Sequence, residues 1–141
     1  MKKIILSVLV VFMALNLAMA QNNPENKPEI TFEKITHDFG TIKEVDGPVS
    51  CTFKFKNTGN WPLVIIQKLT NQPYKNLSVT YSKEPFKPGA EGEVKVTYDV
   101  TGEKPGKFIK GFFLRTNTGD KLIYLKIEGD MIGKSSPEIP L

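Results

Sequence analysis

Between Val49 and Lys56 the chain alternates without a break. Val49, Cys51, Phe53 and Phe55 are set against Ser50, Thr52, Lys54 and Lys56. A period of two fits a strand with one face on an apolar core and the other in water. Glu93–Val100 repeats the pattern, with Val94, Val96 and Tyr98 against Glu93, Lys95 and Thr97. Other short runs of β-forming residues are Ile30–Ile35, His37–Ile42, Leu63–Leu69, Leu77–Ser82, Phe108–Thr116 and Lys121–Glu128. His37–Ile42 either continues the first strand or begins a second. Leu63–Leu69 is apolar enough for a strand buried on both sides, or for one that switches sheets. Between the runs stand Asp46-Gly47-Pro48, Asn57-Thr58-Gly59-Asn60, Lys87-Pro88-Gly89, Lys104-Pro105-Gly106 and Asn117-Thr118-Gly119-Asp120. These are turn sequences, in which Gly supplies positive φ and Pro presets the entry. No segment carries a helical period. About seven short strands at such spacing predict one all-β domain, a two-sheet sandwich over residues 30–132.

The ends read differently. Met1-Lys2-Lys3, an apolar run from Ile4 to Ala18 and the closing Ala18-Met19-Ala20 have the form of a signal peptide over residues 1–20, cut before Gln21. The run is shorter than the roughly 20 apolar residues a spanning helix needs. The expectation is therefore an exported protein, periplasmic or on the cell surface, with no membrane span after cleavage. Gln21 stands where a bacterial lipoprotein would have cysteine. Residues 21–29 are polar, with Pro24 and Pro28, and read as a flexible lead-in. Residues 133–141, with Pro137 and Pro140, read as a disordered tail.

The chemistry-bearing residues are sparse. The net charge is +4, and removing Lys2 and Lys3 leaves +2. Arg115 is the single arginine, whereas nucleic-acid sites lean on arginine, so no nucleic-acid partner is expected. Cys51 is the one cysteine and shares a face with Phe53 and Phe55, which predicts a buried, unpaired thiol. His37 is the one histidine. Its neighbour Asp38 points to the other face of a strand, and Asp38 is read as bonding nearby backbone amides. No nucleophile elbow or phosphate-binding glycine loop is present, and no cofactor, metal or catalytic activity is expected.

Several strings are familiar together. They are His37-Asp38-Phe39-Gly40-Thr41-Ile42, Phe53-Lys54-Phe55-Lys56-Asn57-Thr58-Gly59, Pro62-Leu63-Val64-Ile65 and Pro85-Phe86-Lys87-Pro88-Gly89. Val94-Lys95-Val96-Thr97-Tyr98, Gly106-Lys107-Phe108 and Leu125-Lys126-Ile127-Glu128-Gly129 complete the set. The chain resembles, over nearly all of its length after residue 20, a bacterial family of exported domains of unknown function abundant in Bacteroidetes. That family is similar in turn to the immunoglobulin-like major-sperm-protein and cilia-associated domains. The resemblance implies an immunoglobulin-like sandwich of seven to eight antiparallel strands and no assigned catalytic residue. Family members often carry a Ser-Cys-Gly-Cys-Thr stretch whose cysteines would fall near Tyr74 and Asn76. Here the loop has no thiol.

Four aromatic residues are the candidate binding groups. Trp61 follows the Asn57–Asn60 turn and Tyr74 lies in the next loop. Loop aromatics can stack on sugars or anchor a protein, or they can cap the core. If Asn117–Asp120 is a hairpin loop, Thr116 faces Lys121 and Arg115 faces Leu122. Leu114 then faces Ile123, Phe113 faces Tyr124 and Phe112 faces Leu125. Phe112 and Leu114 become core, and Phe113 and Tyr124 form an outer apolar strip flanked by Ile109. Such a strip is covered by the N-terminal segment or a loop, or it serves a partner or self-association. The expected function is a non-catalytic binding or scaffolding module of the cell envelope, with a carbohydrate-binding module as the alternative.

Overall fold

The computed structural model describes residues 25–72 and 74–133. The expected signal peptide over 1–20, its cleavage site, residues 21–24 and residues 134–141 lie outside them. The elements run β1 (Ile30–Phe32), β2 (Thr36–Lys43), a 3-10 turn (Glu44–Asp46), β3 (Val49–Asn57), β4 (Ile65–Leu69), β5 (Leu77–Tyr81), β6 (Glu91–Tyr98), β7 (Gly106–Thr116) and β8 (Ile123–Ile132). They build two four-stranded sheets, β1-β3-β6-β5 and β2-β8-β7-β4. The alternation in β3 and β6 is what buries Phe53, Phe55, Val94, Val96 and Tyr98 on the inner face of the first sheet. The second sheet answers with Phe112, Leu114, Leu125 and Ile127, all essentially without solvent contact. Cys51 lies in the same core, 8% exposed and unpaired, as its alternation with Phe53 requires.

The structure differs from the sequence reading in four places. The run Ile30–Ile35 is two things. β1 ends at Phe32, the chain crosses between the sheets, and β2 pairs parallel with β8, Thr36 beside Lys126 and His37 beside Ile127. One continuous N-terminal path thus serves an edge of each sheet, and its direction makes the second pairing parallel where all-antiparallel pairing was expected. Leu63–Leu69 is not buried on both sides. Leu63 bridges Phe86, only Ile65–Leu69 joins β7, and a register shift between Ile65 and Gln67 leaves Ile66 half exposed. The last hairpin keeps the expected register from Phe112–Leu125 to Leu114–Ile123. Beyond it the predicted Arg115–Leu122 and Thr116–Lys121 pairs do not form: the β7–β8 ladder stops at Leu114–Ile123, while Arg115 and Thr116 continue to pair with Gln67 and Ile65 of β4 on the other edge of β7. Lys27–Glu29, part of the stretch read as flexible, is held against the Thr58–Asn60 turn. Asn60 donates to the Lys27 carbonyl (3.0 Å) and Thr58 to the Glu29 carbonyl (2.9 Å).

Candidate functional site

The outer face of the second sheet carries an apolar cross-strand row. Phe113 of β7 lies directly opposite Tyr124 of β8, ring centroids 5.0 Å apart and tilted by 44°. On its other side Phe113 is opposite Leu69 of β4. Opposed residues of neighbouring strands share a face, so Leu69, Phe113 and Tyr124 form one row across three strands. Tyr124 is 42% exposed, and Ile109, further along β7 on the same face, is 61% exposed. Between them sits Gly111. A β-carbon there would meet the Tyr124 ring and its hydroxyl, so the absent side chain is what lets the ring lie across β7. The polar neighbours are Lys126 and Glu128, paired at 3.7 Å. The described part of the lead-in runs along Thr58–Asn60, at the first sheet, and does not cover this row.

Leu69 is the member of the row that sequence alternation places wrongly. Counting in twos from Leu63 and Ile65 points it inward. The bulge at Ile66 reverses the parity, so that Lys68 is opposite the core residue Leu114 and Leu69 is opposite Phe113. Ile66 itself carries no signal that marks a bulge.

The other two candidate aromatics do not join the row. Trp61 is 48% exposed at the end of the sandwich, where its carbonyl accepts from the Asn57 side chain (2.8 Å). Tyr74 is packed against the core, and the Lys110 ammonium lies 5.0 Å from its ring centre. It closes the side of the sandwich where β4 has ended, and is a packing residue rather than a free loop aromatic. Asn76, the second position at which the resembling family often has cysteine, donates to Glu103 Oε1 (2.9 Å). The loop is thus fixed by polar and aromatic contacts.

Several other polar groups have structural partners. Asp38 Oδ1 accepts from the Gly40 amide at 2.7 Å, the backbone bond expected of it, and the His37 ring rests 4.5 Å from that of Phe39. Burial pushes the Cys51 thiol up to about 11, so it is neutral at physiological pH. Among the described residues, no cluster of His, Cys, Asp and Glu has the makings of a metal site. The outer face of the first sheet is polar, with Lys54 opposite Glu93 and Lys56 opposite Glu91. A hollow of about 600 Å³ there is lined by those four and by Thr31 and Glu33 among others.

The model of one family, described as protein of unknown function (DUF1573), matches residues 30–131. The chain belongs to that family. Among solved structures, this DUF1573 domain superposes on a protein of unknown function from Porphyromonas gingivalis W83 with a TM-score of 0.62 and 16% identity, covering 78% of this chain and 50% of that one. It superposes on the ASH / PapD-like domain 7 of human CEP192 with a TM-score of 0.55 and 9% identity, covering 80% of this chain and 92% of that one. The Vibrio cholerae VesB protease matches with a TM-score of 0.59 and 18% identity over 74% of this chain but 32% of its own. The chain thus spans half of the Porphyromonas protein and about a third of VesB. At these identities the likenesses establish an immunoglobulin-like, PapD-like sandwich fold. No curated protein matches.

Proposed function

We propose that this DUF1573 domain is a non-catalytic protein-binding module of the cell envelope, and that the Leu69–Phe113–Tyr124 face is where it holds its partner. The observation that carries the reading is the row itself. Two aromatic rings in contact, an opposed leucine and a 61% exposed Ile109 share one face of an edge-to-edge sheet. Tyr and Phe bury much area while fixing few torsions, and an exposed apolar patch on a soluble domain marks an interaction surface. The envelope address comes from the basic start, the apolar run and the Ala18-Met19-Ala20 ending of the sequence. The mature chain carrying a photo-crosslinking side chain in place of Leu122, beside the row, tests this in the native envelope. A discrete protein adduct that disappears on Phe113→Ser supports the proposal, and adducts indifferent to that change contradict it.

A glycan-binding reading has one observation in its favour, the half-exposed Trp61 at the end of the sandwich. An exposed indole can stack on a sugar ring. Glycan-array binding that is lost in Trp61→Ala and kept in Phe113→Ser would favour it over the protein-binding face.

A further inference from the structure

The four sheet edges are not built alike. β1 is three residues long. β2 is bent where its register shifts between Asp38 and Thr41, with Gly40 at φ +65°, and it ends in Lys43. β4 is interrupted at Ile66 and carries Lys68. Short length, bulges and lysines are the devices that stop an edge from pairing with another chain. β5 has none of them within its length. Leu77-Ser78-Val79-Thr80-Tyr81 is uncharged and pairs with β6 at every residue without a shift.

The free groups of this edge can be assigned. The Asn76 carbonyl accepts from the Asp99 amide, so in the same register Ser78 and Thr80 make the bonds to β6. The N–H and C=O of Val79 and of Tyr81 therefore point away from the sheet, as does the Leu77 carbonyl. The Leu77 N–H is turned to the Tyr74 carbonyl (3.4 Å). On the inner face Val79 and Tyr81 are only partly buried against the core, their open flank lying along the same edge.

We propose that β5 is a strand-addition site for an extended segment of a partner protein, with apolar residues at alternate positions and a carboxylate at each end. The charges select this occupant. Exposed Lys75 and Lys83 flank β5, the former just before it and the latter just after. In a symmetric antiparallel pairing of two copies, Val79 meets Val79, Leu77 meets Tyr81 and each Lys75 meets a Lys83. Like charges would then face each other at both ends. A foreign strand with carboxylates at those two positions turns both contacts favourable. Its apolar residues complete the half-covered inner face beside Leu77, Val79 and Tyr81, and its main chain takes up the free groups of Val79 and Tyr81. The site is on the other sheet from the Leu69–Phe113–Tyr124 face. It shares with the proposed function the premise of a protein partner, and Phe113→Ser leaves it intact.

The test uses a synthetic peptide long enough to run from Lys75 to Lys83, with valines opposite Leu77, Val79 and Tyr81, threonines between, and an aspartate at each end. Amide hydrogen exchange of the full chain is followed as peptide is added. The expected result is slowed exchange at Val79 and Tyr81 with no change at Phe113. Replacing the two aspartates by lysines should weaken binding about fivefold or more, as two exposed ion pairs become repulsive. Val79→Pro removes an N–H that faces solvent, a position where an edge strand tolerates proline. It should weaken peptide binding about fivefold, the worth of the one main-chain hydrogen bond that the N–H would donate. Unchanged exchange at Val79 and Tyr81 up to millimolar peptide overturns the proposal, as does equal affinity for the aspartate and lysine peptides. Slowing of the same two amides by raising protein concentration alone would make a second copy the occupant, and would overturn the choice of partner.

Discussion

Asn57→Ala should cost this domain a large part of its stability. Asn57 ends β3, has no solvent contact, and its side chain ties three segments together. Its Nδ2 donates to the carbonyls of Trp61 (2.8 Å) and Phe86 (2.9 Å), while its Oδ1 accepts from the Gly59 amide (3.0 Å). A fourth contact, from the Glu29 amide, is long at 3.5 Å and adds little. Truncation to alanine removes three good bonds. The Phe86 carbonyl keeps the Leu63 amide at 2.9 Å, but the Trp61 carbonyl and the Gly59 amide lose their side-chain partner. At about 1 kcal/mol per net bond, and about 1 kcal/mol more for groups left unpaired, the loss is about 4 kcal/mol. Domains of this size have about 5–15 kcal/mol in total. With a urea slope of about 1–3 kcal/mol/M, the midpoint should fall by roughly 2 M with the slope unchanged. Thr58→Ala is the control. Thr58 is exposed and, among the described residues, its hydroxyl bonds that of Thr31, so its loss should be under about 1 kcal/mol. A urea midpoint for Asn57→Ala as close to wild type as that of Thr58→Ala would refute the reasoning.

Three further outcomes are expected. Gly59→Ala should destabilise strongly, because a β-carbon would come within 2.5 Å of the Glu29 amide nitrogen and 2.8 Å of the Pro28 carbonyl carbon, and backbone cannot swing aside as a side chain can; thermal melting within a degree or two of wild type would contradict this. Gly111→Ala should leave stability nearly unchanged yet displace the Tyr124 ring, read as altered Phe113–Tyr124 ring contacts by NMR; retention of those contacts would contradict it. Stability should fall with alkaline pH. Burial raises Cys51 from 9.0 to about 11, and burial with the Glu103 charge raises Tyr98 from 10.0 to about 12. Both groups are held neutral in the folded state, so their contribution is complete below about pH 9 and is lost as pH rises towards 12. Urea midpoints from neutral pH upwards check the sign, native Cys51 should react slowly with thiol reagents at neutral pH, and a midpoint that rises above pH 9 would contradict the account.

How much of this was legible in the sequence depends on whether a residue's role is local. The alternation in Val49–Lys56 and Glu93–Val100 placed two central strands and their inner faces, because a period of two has one physical meaning. Phe113 opposite Tyr124 followed from hairpin register alone. What alternation could not give was where each pairing stops or shifts. The β7–β8 ladder stops at Leu114–Ile123 while β7 goes on pairing with β4 through Thr116, and the bulge at Ile66 sends Leu69 outward. The parallel pairing of β2 with β8 joins residues far apart in sequence and has no local signature. Asn57 read as the opening of a turn; its burial became visible only when Trp61 and Phe86 were brought to it.

The central claim, a protein-binding module of the envelope working through one sheet face, is tested most directly by site-resolved crosslinking in the native envelope. The photo-reactive side chain is placed at Leu122, beside the aromatic row, and for comparison at Lys54 on the polar face of the first sheet. The account predicts a single protein adduct from position 122 that Phe113→Ser abolishes, with none from position 54. Equal adducts from both positions, or adducts at 122 that survive Phe113→Ser, would contradict it.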